Sequence, residues 1–598
     1  MGKWMVAAKR ADFDAIARKY QISPVLARII RNRDVVEDEE IERFLNGTRA
    51  QLYEPGLLKD MDKAVAILLH KIAEGKHIRI IGDYDIDGIC STYILYRGLA
   101  ACGAHVDTAI PHRIRDGYGL NEHLIQEAYD AGTDTVLTCD NGIAAYDQIA
   151  FANELKMTVI VTDHHEVPYD EVDGERRYNV PQASAVIDPK QEDCRYPFSG
   201  ICGAVVAYKL VLALAAANGG VHWRDVMESD LGLELLEFAA FATIGDVMEL
   251  RDENRIIVKS GLELMAHTRN IGLKALMQAT ETKPESIKPY TIGFVLGPCL
   301  NATGRLDTAV NALELFQTTD AGRAAVLAGD LKAMNDSRKE LTLKGVDEAV
   351  AQIENSGLMQ DRVLVVYLPK VHESLAGIIA GRVREKYGKP AFVLTKAEEG
   401  VKGSGRSIEA FHMYDELTKC KELFTKYGGH KLAAGLSLAE EDVDELRRRL
   451  NENCRLTDED FEEKVLIDVP MPMAYASIDF VAELARLEPF GNGNPKPQFA
   501  QKNVRFLSGR VLGAKHNVGK YTVADEEGRR HELIYFGDLE AFHAYVAAKY
   551  GTDALDRLYQ TGVLGIQSQP IVLSVVYYPD VNEYRGNVSL QMVMKYYQ

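Results

Sequence analysis

Positive charge is scarce along this chain. Its 598 residues carry 69 Lys and Arg against 88 Asp and Glu, a formal net charge of −19, with an isoelectric point near 5.4. That balance excludes a protein that coats nucleic acid through a generally basic surface. No apolar run reaches membrane length: the longest, residues 204–217, is interrupted by Tyr208 and Lys209 and reads as a core helix. The eight cysteines (90, 102, 139, 194, 202, 299, 420, 454) are scattered without Cys-x-x-Cys spacing. They predict reduced, mostly buried thiols rather than a disulfide framework or a zinc site. The first ten residues hold no apolar core long enough for a secretory signal, and Val6 stands where a myristoylation signal needs Ser or Thr. The expectation is a cytoplasmic protein of two to four domains that does not engage a membrane.

The distinctive negative charge lies in Ile81-Gly-Asp-Tyr-Asp-Ile-Asp-Gly88, where Asp83, Asp85 and Asp87 alternate. On extended chain the three side chains point to one side, and carboxylates so crowded repel unless a cation lies between them. Hard oxygen donors suit Mg²⁺ or Mn²⁺. A solvated acidic loop is the alternative; a calcium loop of the EF-hand type does not fit, because the Gly is misplaced and no Glu closes twelve residues.

Neighbouring segments strengthen the metal reading. The apolar run His77–Ile81 leads into the acidic turn, Thr135-Val-Leu-Thr-Cys-Asp140 ends in Asp140-Asn-Gly142, and Met157-Thr-Val-Ile-Val-Thr-Asp163 ends in Asp163-His-His165. Helical stretches at 91–103, 121–132 and 144–155 separate them, a βαβαβ pattern that predicts a parallel sheet. Ligands of such sheets gather beyond the carboxyl ends of the strands, so Asp85, Asp87, Asp140, Asp163, His164 and His165 converge on one edge. Asp246 follows the almost wholly apolar stretch 235–245, where an unpaired carboxylate is costly and a metal is a fitting partner.

These residues resemble motifs I to IV of the DHH phosphoesterase superfamily: Asp83-Tyr-Asp-Ile-Asp-Gly88, Asp140-Asn-Gly142, Asp163-His-His165 and Ile244-Gly-Asp-Val247. The resemblance implies two Mn²⁺ or Mg²⁺ ions held by Asp85, Asp87, Asp140, His164 and Asp246. It further implies that Asp83 and Asp163 support those ligands, that His165 contacts the scissile phosphate, and that Asp140 bridges the ions. Two such ions clamp the attacking and leaving oxygens of a phosphoester.

Within the superfamily, further stretches resemble the RecJ-type exonucleases over roughly residues 30–598. They are Ile110-Pro-His-Arg113 with Asp116-Gly-Tyr-Gly-Leu-Asn121, Gly297-Pro-Cys-Leu-Asn-Ala-Thr-Gly-Arg-Leu306, Val371-His-Glu-Ser-Leu-Ala-Gly377, Gly403-Ser-Gly-Arg-Ser407, Tyr427-Gly-Gly-His430 through Gly435, and Leu487-Glu-Pro-Phe-Gly-Asn-Gly-Asn-Pro495. Cys299, Val371 and Ser374 stand where that family commonly has Arg, Trp and Gly. The resemblance implies nucleic-acid contacts at Arg113, Tyr118, Arg305, His372, Ser404, Arg406 and His430. Arg113, Ser404 and Arg406 would form a pocket for a 5′ end. Small residues let backbone approach a phosphate and Arg grips it with two hydrogen bonds. Residues 381–431 carry eleven basic against seven acidic side chains, a basic stretch on an acidic protein.

The fold class expected is α/β. A helical lead-in spans 1–55, and a parallel-sheet DHH domain spans 56–315. A connecting helix at 316–358 leads to a smaller α/β DHHA1 domain at 359–456. Short strands spaced by turns predict a C-terminal β-barrel of OB type at 457–598. Residues 413–427, with apolar side chains at helical spacing, predict a helix capped by Gly428. Tyr521, Tyr577, Tyr578 and Tyr584 are candidates for base stacking, each more simply read as packing or surface. The resemblance predicts a metal-dependent, single-strand-specific 5′→3′ exonuclease that releases mononucleotides in recombination and repair, working with a helicase and a single-strand-binding protein. The alternatives are an oligonucleotide or cyclic-dinucleotide phosphodiesterase and a non-catalytic single-strand-binding scaffold.

Overall fold

The computed structural model describes residues 2–112, 116–117, 119–306, 308–513, 515–560, 570–584 and 586–598. It divides into two compact units. One comprises Thr48–Glu249 and Glu253–Glu462; the other comprises Met1–Gly47, Leu250–Asp252 and Glu463–Gln598.

The larger unit begins with a five-stranded, wholly parallel sheet: β1 His77–Ile81, β2 His105–Ala109, β3 Thr135–Cys139, β4 Thr158–Thr162 and β5 Ala185–Ile187. The spatial order is β2-β1-β3-β4-β5. The chain therefore leaves β1 in one direction for β2 and in the other for β3, which opens a crevice at the carboxyl ends of β1 and β3. Apolar side chains cover both faces. Ile78, Ile80, Leu137, Ile160 and Ile187 join the main core, while Val136, Val159, Val161 and Val186 face Leu124, Ile125 and Ile149. Burial on both faces is why the strands read as continuous apolar runs. Strands β2 and β5 carry no such run in isolation, and the sequence pattern did not single them out.

Four helices of this unit matter for the site. Helix α1, Ile86–Ala101, starts inside the acidic turn with Asp85 as its N-cap, accepting from Gly88 N. Helix α2, Gly203–Gly219, is the core helix expected at 204–217; its Lys209 is wholly buried and donates to Glu253 at 2.9 Å and to the Tyr53 carbonyl at 2.6 Å. Helix α3, Asp230–Gly245, ends at Asp246. Helix α4, Gly297–Leu306, continues a single π-turn, Ile292–Leu296.

Helix α5, Ala321–Glu354, is the long connecting helix. Beyond it lies a second five-stranded sheet: β6 Leu364–Tyr367, β7 Ala391–Lys396, β8 Val401–Arg406, β9 Phe424–Gly429 and β10 Ala433–Leu438, in the order β9-β10-β8-β7-β6. Helix α6, Ala376–Tyr387, packs on β7 and β8. Here the sequence reading of 413–427 is corrected. Only Met413–Thr418 is α-helical, followed by a single 3₁₀ turn at Lys421–Leu423, and Gly428 lies in strand β9 opposite Gly435 rather than capping a helix. Met413, Leu417, Cys420, Phe424 and Tyr427 are spaced as a helix would space them, but Phe424–Gly429 takes its hydrogen bonds from β10, and sheet pairing overrides the local period.

The smaller unit contains a closed five-stranded barrel. Phe499–Leu512, Val518–Ala524, Arg530–Tyr535, Asn587–Tyr597 and Ile571–Tyr584 pair in that order, and the last pairs back with the first. Phe506, Tyr521, Phe542 and Tyr577 fill its core. Tyr521, Tyr577 and Tyr578 are thus packing residues; Tyr584 lies outside the described side chains. The N-terminal strand Lys3–Val6 pairs in parallel with Lys464–Ile467. Arg33 forms a buried pair with Asp468 at 2.5 Å, which ties the first helices to this unit.

Candidate metal centre and substrate cleft

The sheet's carboxyl edge gathers the acidic motifs. Asp83, Asp85 and Asp87 follow β1, Asp140 follows β3, Asp163, His164 and His165 follow β4, and Asp246 caps α3. His164 Nε2 stands 3.1 Å from Asp140 Oδ1, 3.4 Å from Asp87 Oδ2 and 3.8 Å from Asp246 Oδ2. His165 Nδ1 is 2.7 Å from Asp163 Oδ1 and 3.9 Å from Asp140 Oδ1. Three overlapping groups have donor atoms within 4.8 Å of one another: Asp83–Asp85–Asp140, Asp87–His164–Asp246 and Asp140–His164–His165.

Backbone amides fix the orientation of these side chains. Asp87 accepts from Gly203 N at 2.7 Å and Ala204 N at 2.8 Å, the first free amides of α2. A helix N-terminus favours a carboxylate there. Asp163 accepts from His164 N at 2.7 Å, His165 N at 3.2 Å and Ile143 N at 2.9 Å. Asp83 accepts from Gly119 N at 3.3 Å, which draws Gly119 onto the site. Asp140 sits in the left-handed region, with φ of 59°.

Electrostatics describe a site built around positive charge. Burial, then the charges of Asp87 and Asp85, hold Asp140 well above the ordinary carboxylate range. Burial and then Asp87 raise Asp85. Burial, Asp87 and Asp85 push Asp246 up to about 8. Burial lowers His164, which keeps its imidazole neutral and able to donate a lone pair. Burial also opposes protonation of His165, yet the hydrogen bond and charge of Asp163 raise it to about 9. A cation among these carboxylates is what lets all of them ionise together. The donor set, carboxylate oxygens plus one imidazole, fits a hard divalent ion such as Mn²⁺ or Mg²⁺.

Sequence reasoning missed two contributors. Asp188, wholly buried at the end of β5, is pushed up to about 7 by burial and then by Asp163. Its signal was its place after a strand, but Ala185–Ile187 is only three residues long. Gly203 was silent: a side chain there would lie 2.9 Å from Asp140 Cβ and 3.0 Å from Asp87 Oδ2.

Beside the metal centre, a cleft of about 480 Å³ is lined by Tyr84, Gly117, Glu373, Lys402, Ser404, Lys426, Gly428 and Gly435, among others. Strand pairing aligns Lys402 with Ser437 and Lys426 with Ser437, and sets Ser404 and Gly428 opposite Gly435. Lys402, Ser404 and Arg406 alternate along β8 and share one face, while Gly403 and Gly405 face Leu394, Leu436, Phe392 and Met413. The glycines thus serve core packing as well as backbone approach.

The remaining expected contacts are distributed unevenly. Arg406 Nη1 donates to the Gly405 carbonyl, and its guanidinium lies against Gly377 of α6. Arg305 Nη1 donates to the Ser374 carbonyl at 2.8 Å, linking α4 to the turn before α6. His372 caps that turn, with Nδ1 2.8 Å from Ser374 Oγ. His430 is exposed in the β9–β10 hairpin, its backbone donating to Ala433. Cys299 is buried, its Sγ accepting from Asn335 at 3.4 Å. Arg113 and Tyr118 lie outside the described residues.

Three family models match the chain: the DHH family N-terminal domain over residues 77–243, the DHHA1 domain over 360–456 and the RecJ OB domain over 467–596. The single-stranded-DNA-specific exonuclease RecJ of Escherichia coli K12 is 32% identical, with 99% of each chain covered. That of Salmonella typhimurium is 32% identical over 96% of this chain and 95% of its own. The Bacillus subtilis protein is 35% identical over 88% of this chain, which spans only 65% of that relative's length. The crystal structure of Thermus thermophilus RecJ with Mn²⁺ superposes with a TM-score of 0.79 at 26% identity, covering 100% of this chain and 79% of that one. The same protein with Mg²⁺ gives 0.74 at 25%. Among the described residues no helix is long and apolar enough to cross a membrane.

Proposed function

The chain belongs to the RecJ family of single-stranded-DNA-specific exonucleases, and from that premise we propose that it is a metal-dependent exonuclease that degrades single-stranded DNA from the 5′ end, releasing mononucleotides. The observation that carries the reading is the convergence of Asp85, Asp87, Asp140, His164 and Asp246 within a few ångströms, beside a cleft whose floor offers Ser404, Lys402 and Lys426. Two Mn²⁺ or Mg²⁺ ions held there would lower the pKa of the attacking water and offset charge on the scissile phosphate. Asp140, which belongs to two of the donor groups, would serve as a ligand to both ions. Asp83 and Asp163 would support the ligands, Asp163 by accepting from the amides of His164 and His165 and Asp83 by accepting from that of Gly119. His165, kept protonated by Asp163, supplies a donor for a phosphate oxygen.

The 5′ polarity rests on the family resemblance. In this reading Ser404 and Arg406, with Arg113, would bind a terminal 5′ phosphate. Arg305 and His372, which meet at Ser374, would contact the strand, as would His430 and Tyr118. The barrel of the smaller unit holds longer single strands, which favours a strand exonuclease over an oligonucleotidase. All four acidic motifs are present, which argues against a scaffold. A cytoplasmic setting, with a helicase and a single-strand-binding protein supplying and presenting the strand, completes the proposal.

The test is Mn²⁺-dependent digestion of end-labelled single strands, comparing a free 5′ phosphate with a blocked 5′ end, for the unaltered protein and Asp140→Ala. Mononucleotides released from free 5′ ends alone, and lost in the variant, support the reading. Equal attack on 5′-blocked strands would overturn the end pocket. Binding without hydrolysis in the unaltered protein would move the reading to a scaffold.

A further inference from the structure

Outside the site already described, the least expected surface feature of the larger unit is a pair of aromatic rings held in water. Tyr290 and Phe294 are 68% and 64% exposed, and their rings stack at 4.8 Å with an interplanar angle of 21°. They lie on the turn formed by Pro289–Thr291 and the π-turn Ile292–Leu296, opposite the buried stripe Ile292, Leu296, Cys299 and Leu300. Aromatic side chains bury large apolar areas when they can, so two adjacent rings left in solvent ask for an occupant. π-turns recur at functional sites.

Their position ties them to the metal centre. Gly297, one turn after Phe294, and Gly245, one residue before Asp246, both abut the same methyl group, Ile86 Cδ1. A side chain at either glycine would stand 2.8 Å and 3.0 Å from it. Ile86 itself lies between Asp85 and Asp87. Val247, next to Asp246, is 65% exposed and adopts φ of 57°, a left-handed conformation that a β-branched residue rarely takes. It occupies the position where a helix C-terminus usually has Gly. Met248 N donates to the Thr243 carbonyl and Val247 N to that of Ile244, the hydrogen-bond pair of a Schellman cap. An apolar side chain is therefore held out into solvent, against its conformational preference, beside a candidate metal ligand. Exposed Lys288 stands two residues before Tyr290.

We infer that Tyr290 and Phe294 form a stacking shelf that takes an unpaired nucleobase of the strand as it approaches the metal centre, with Lys288 beside the sugar-phosphate backbone. Parallel rings accept a further π-face at their open side, and stacking is indifferent to base identity, as a nuclease without sequence preference requires. Inside a duplex each base is already stacked on both faces, so the shelf also favours single strands. This inference rests on the reading of the chain as a single-strand nuclease.

The experiment uses the full chain, Mn²⁺ and a phosphorothioate-protected strand carrying 2-aminopurine at successive positions from the 5′ end. The shelf predicts fluorescence quenching at one or two adjacent positions. Tyr290→Ala/Phe294→Ala should abolish that quenching and weaken binding about tenfold, with an unchanged melting temperature because both rings are exposed. Tyr290→Trp/Phe294→Trp should restore both. Binding by the double Ala variant as tight as the unaltered protein's, with the quenching pattern intact, would overturn the shelf while leaving the nuclease reading standing, and would assign the rings to a protein partner. If the unaltered protein fails to bind the strand at all, the shelf falls together with the nuclease reading.

Discussion

Replacing Gly203 with Ala tests whether the metal centre depends on the start of α2. The added carbon would sit 2.9 Å from Asp140 Cβ, 3.0 Å from Asp140 Cα and 3.0 Å from Asp87 Oδ2. Carbon pairs prefer about 3.5–4.0 Å, so something must retreat by roughly half an ångström. Asp140 cannot yield cheaply: its backbone N–H is bonded to the Thr162 carbonyl at 3.0 Å and it already occupies the left-handed region. The start of α2 therefore moves back, drawing the Gly203 and Ala204 amides from Asp87. Overpacking costs about 1–3 kcal/mol, partly offset by the roughly 0.5–1 kcal/mol that Ala gains over Gly in a helix. Stability should fall by no more than about 2 kcal/mol. Activity should fall further, since a misplacement of about 1 Å at a catalytic group costs on the order of 100-fold, and half of that displacement on the order of tenfold. The assay is Mn²⁺-dependent release of nucleotides from a 5′-labelled strand, with a Mn²⁺ titration and a denaturant melt on the same sample. Gly219→Ala, at the open end of the same helix with its nearest neighbour at 3.7 Å, is the control and should keep full activity. Wild-type turnover and Mn²⁺ dependence in Gly203→Ala would refute the claim that α2 positions Asp87.

Other expectations follow from buried charge and strain. Lys209→Met leaves Glu253 buried without its cation and should destabilise by about 3–5 kcal/mol, whereas Lys209→Met/Glu253→Gln should recover much of that in urea titrations. Val247→Gly removes the left-handed penalty and should stabilise by about 1 kcal/mol, read as a raised urea midpoint; an unchanged midpoint would show that the penalty is not expressed. Glu237, buried in α3, is pushed up from 4.5 to about 7 by burial. The folded state thus holds its proton where the unfolded state has released it. Its contribution is complete below about pH 4.5 and is lost as pH rises through about 7, a difference of about 3 kcal/mol. Urea midpoints of Glu237→Gln, measured with Mn²⁺ present, should lack that part of the decline. Mn²⁺ at about 100 times its Kd should stabilise the protein by about 2.7 kcal/mol. Calorimetry should show that gain abolished by chelator and in Asp140→Ala/Asp246→Ala.

The acidic motifs were legible because each ends an apolar run, and parallel strands place such ends on one edge whatever the loops between them do. The long helix and the C-terminal barrel were legible for similar reasons of period and spacing. What failed was local: residues 413–427 carry a helical period, yet Phe424–Gly429 pairs with β10 because the sheet needs an edge strand there. Ala185–Ile187 was too short to register, and Asp188 was lost with it. Gly203 and the exposed Tyr290–Phe294 pair had no motif at all, since only the packed chain shows what a glycine abuts or which ring faces water. The sequence by itself determined the chemistry: which carboxylates and imidazoles exist, and that a metal must reconcile them. The tertiary structure alone decided how near those groups come, which amides orient them and which face of the second sheet opens to the cleft. Side-chain identity is carried by each residue singly, whereas distance is set by pairings between segments far apart in the chain.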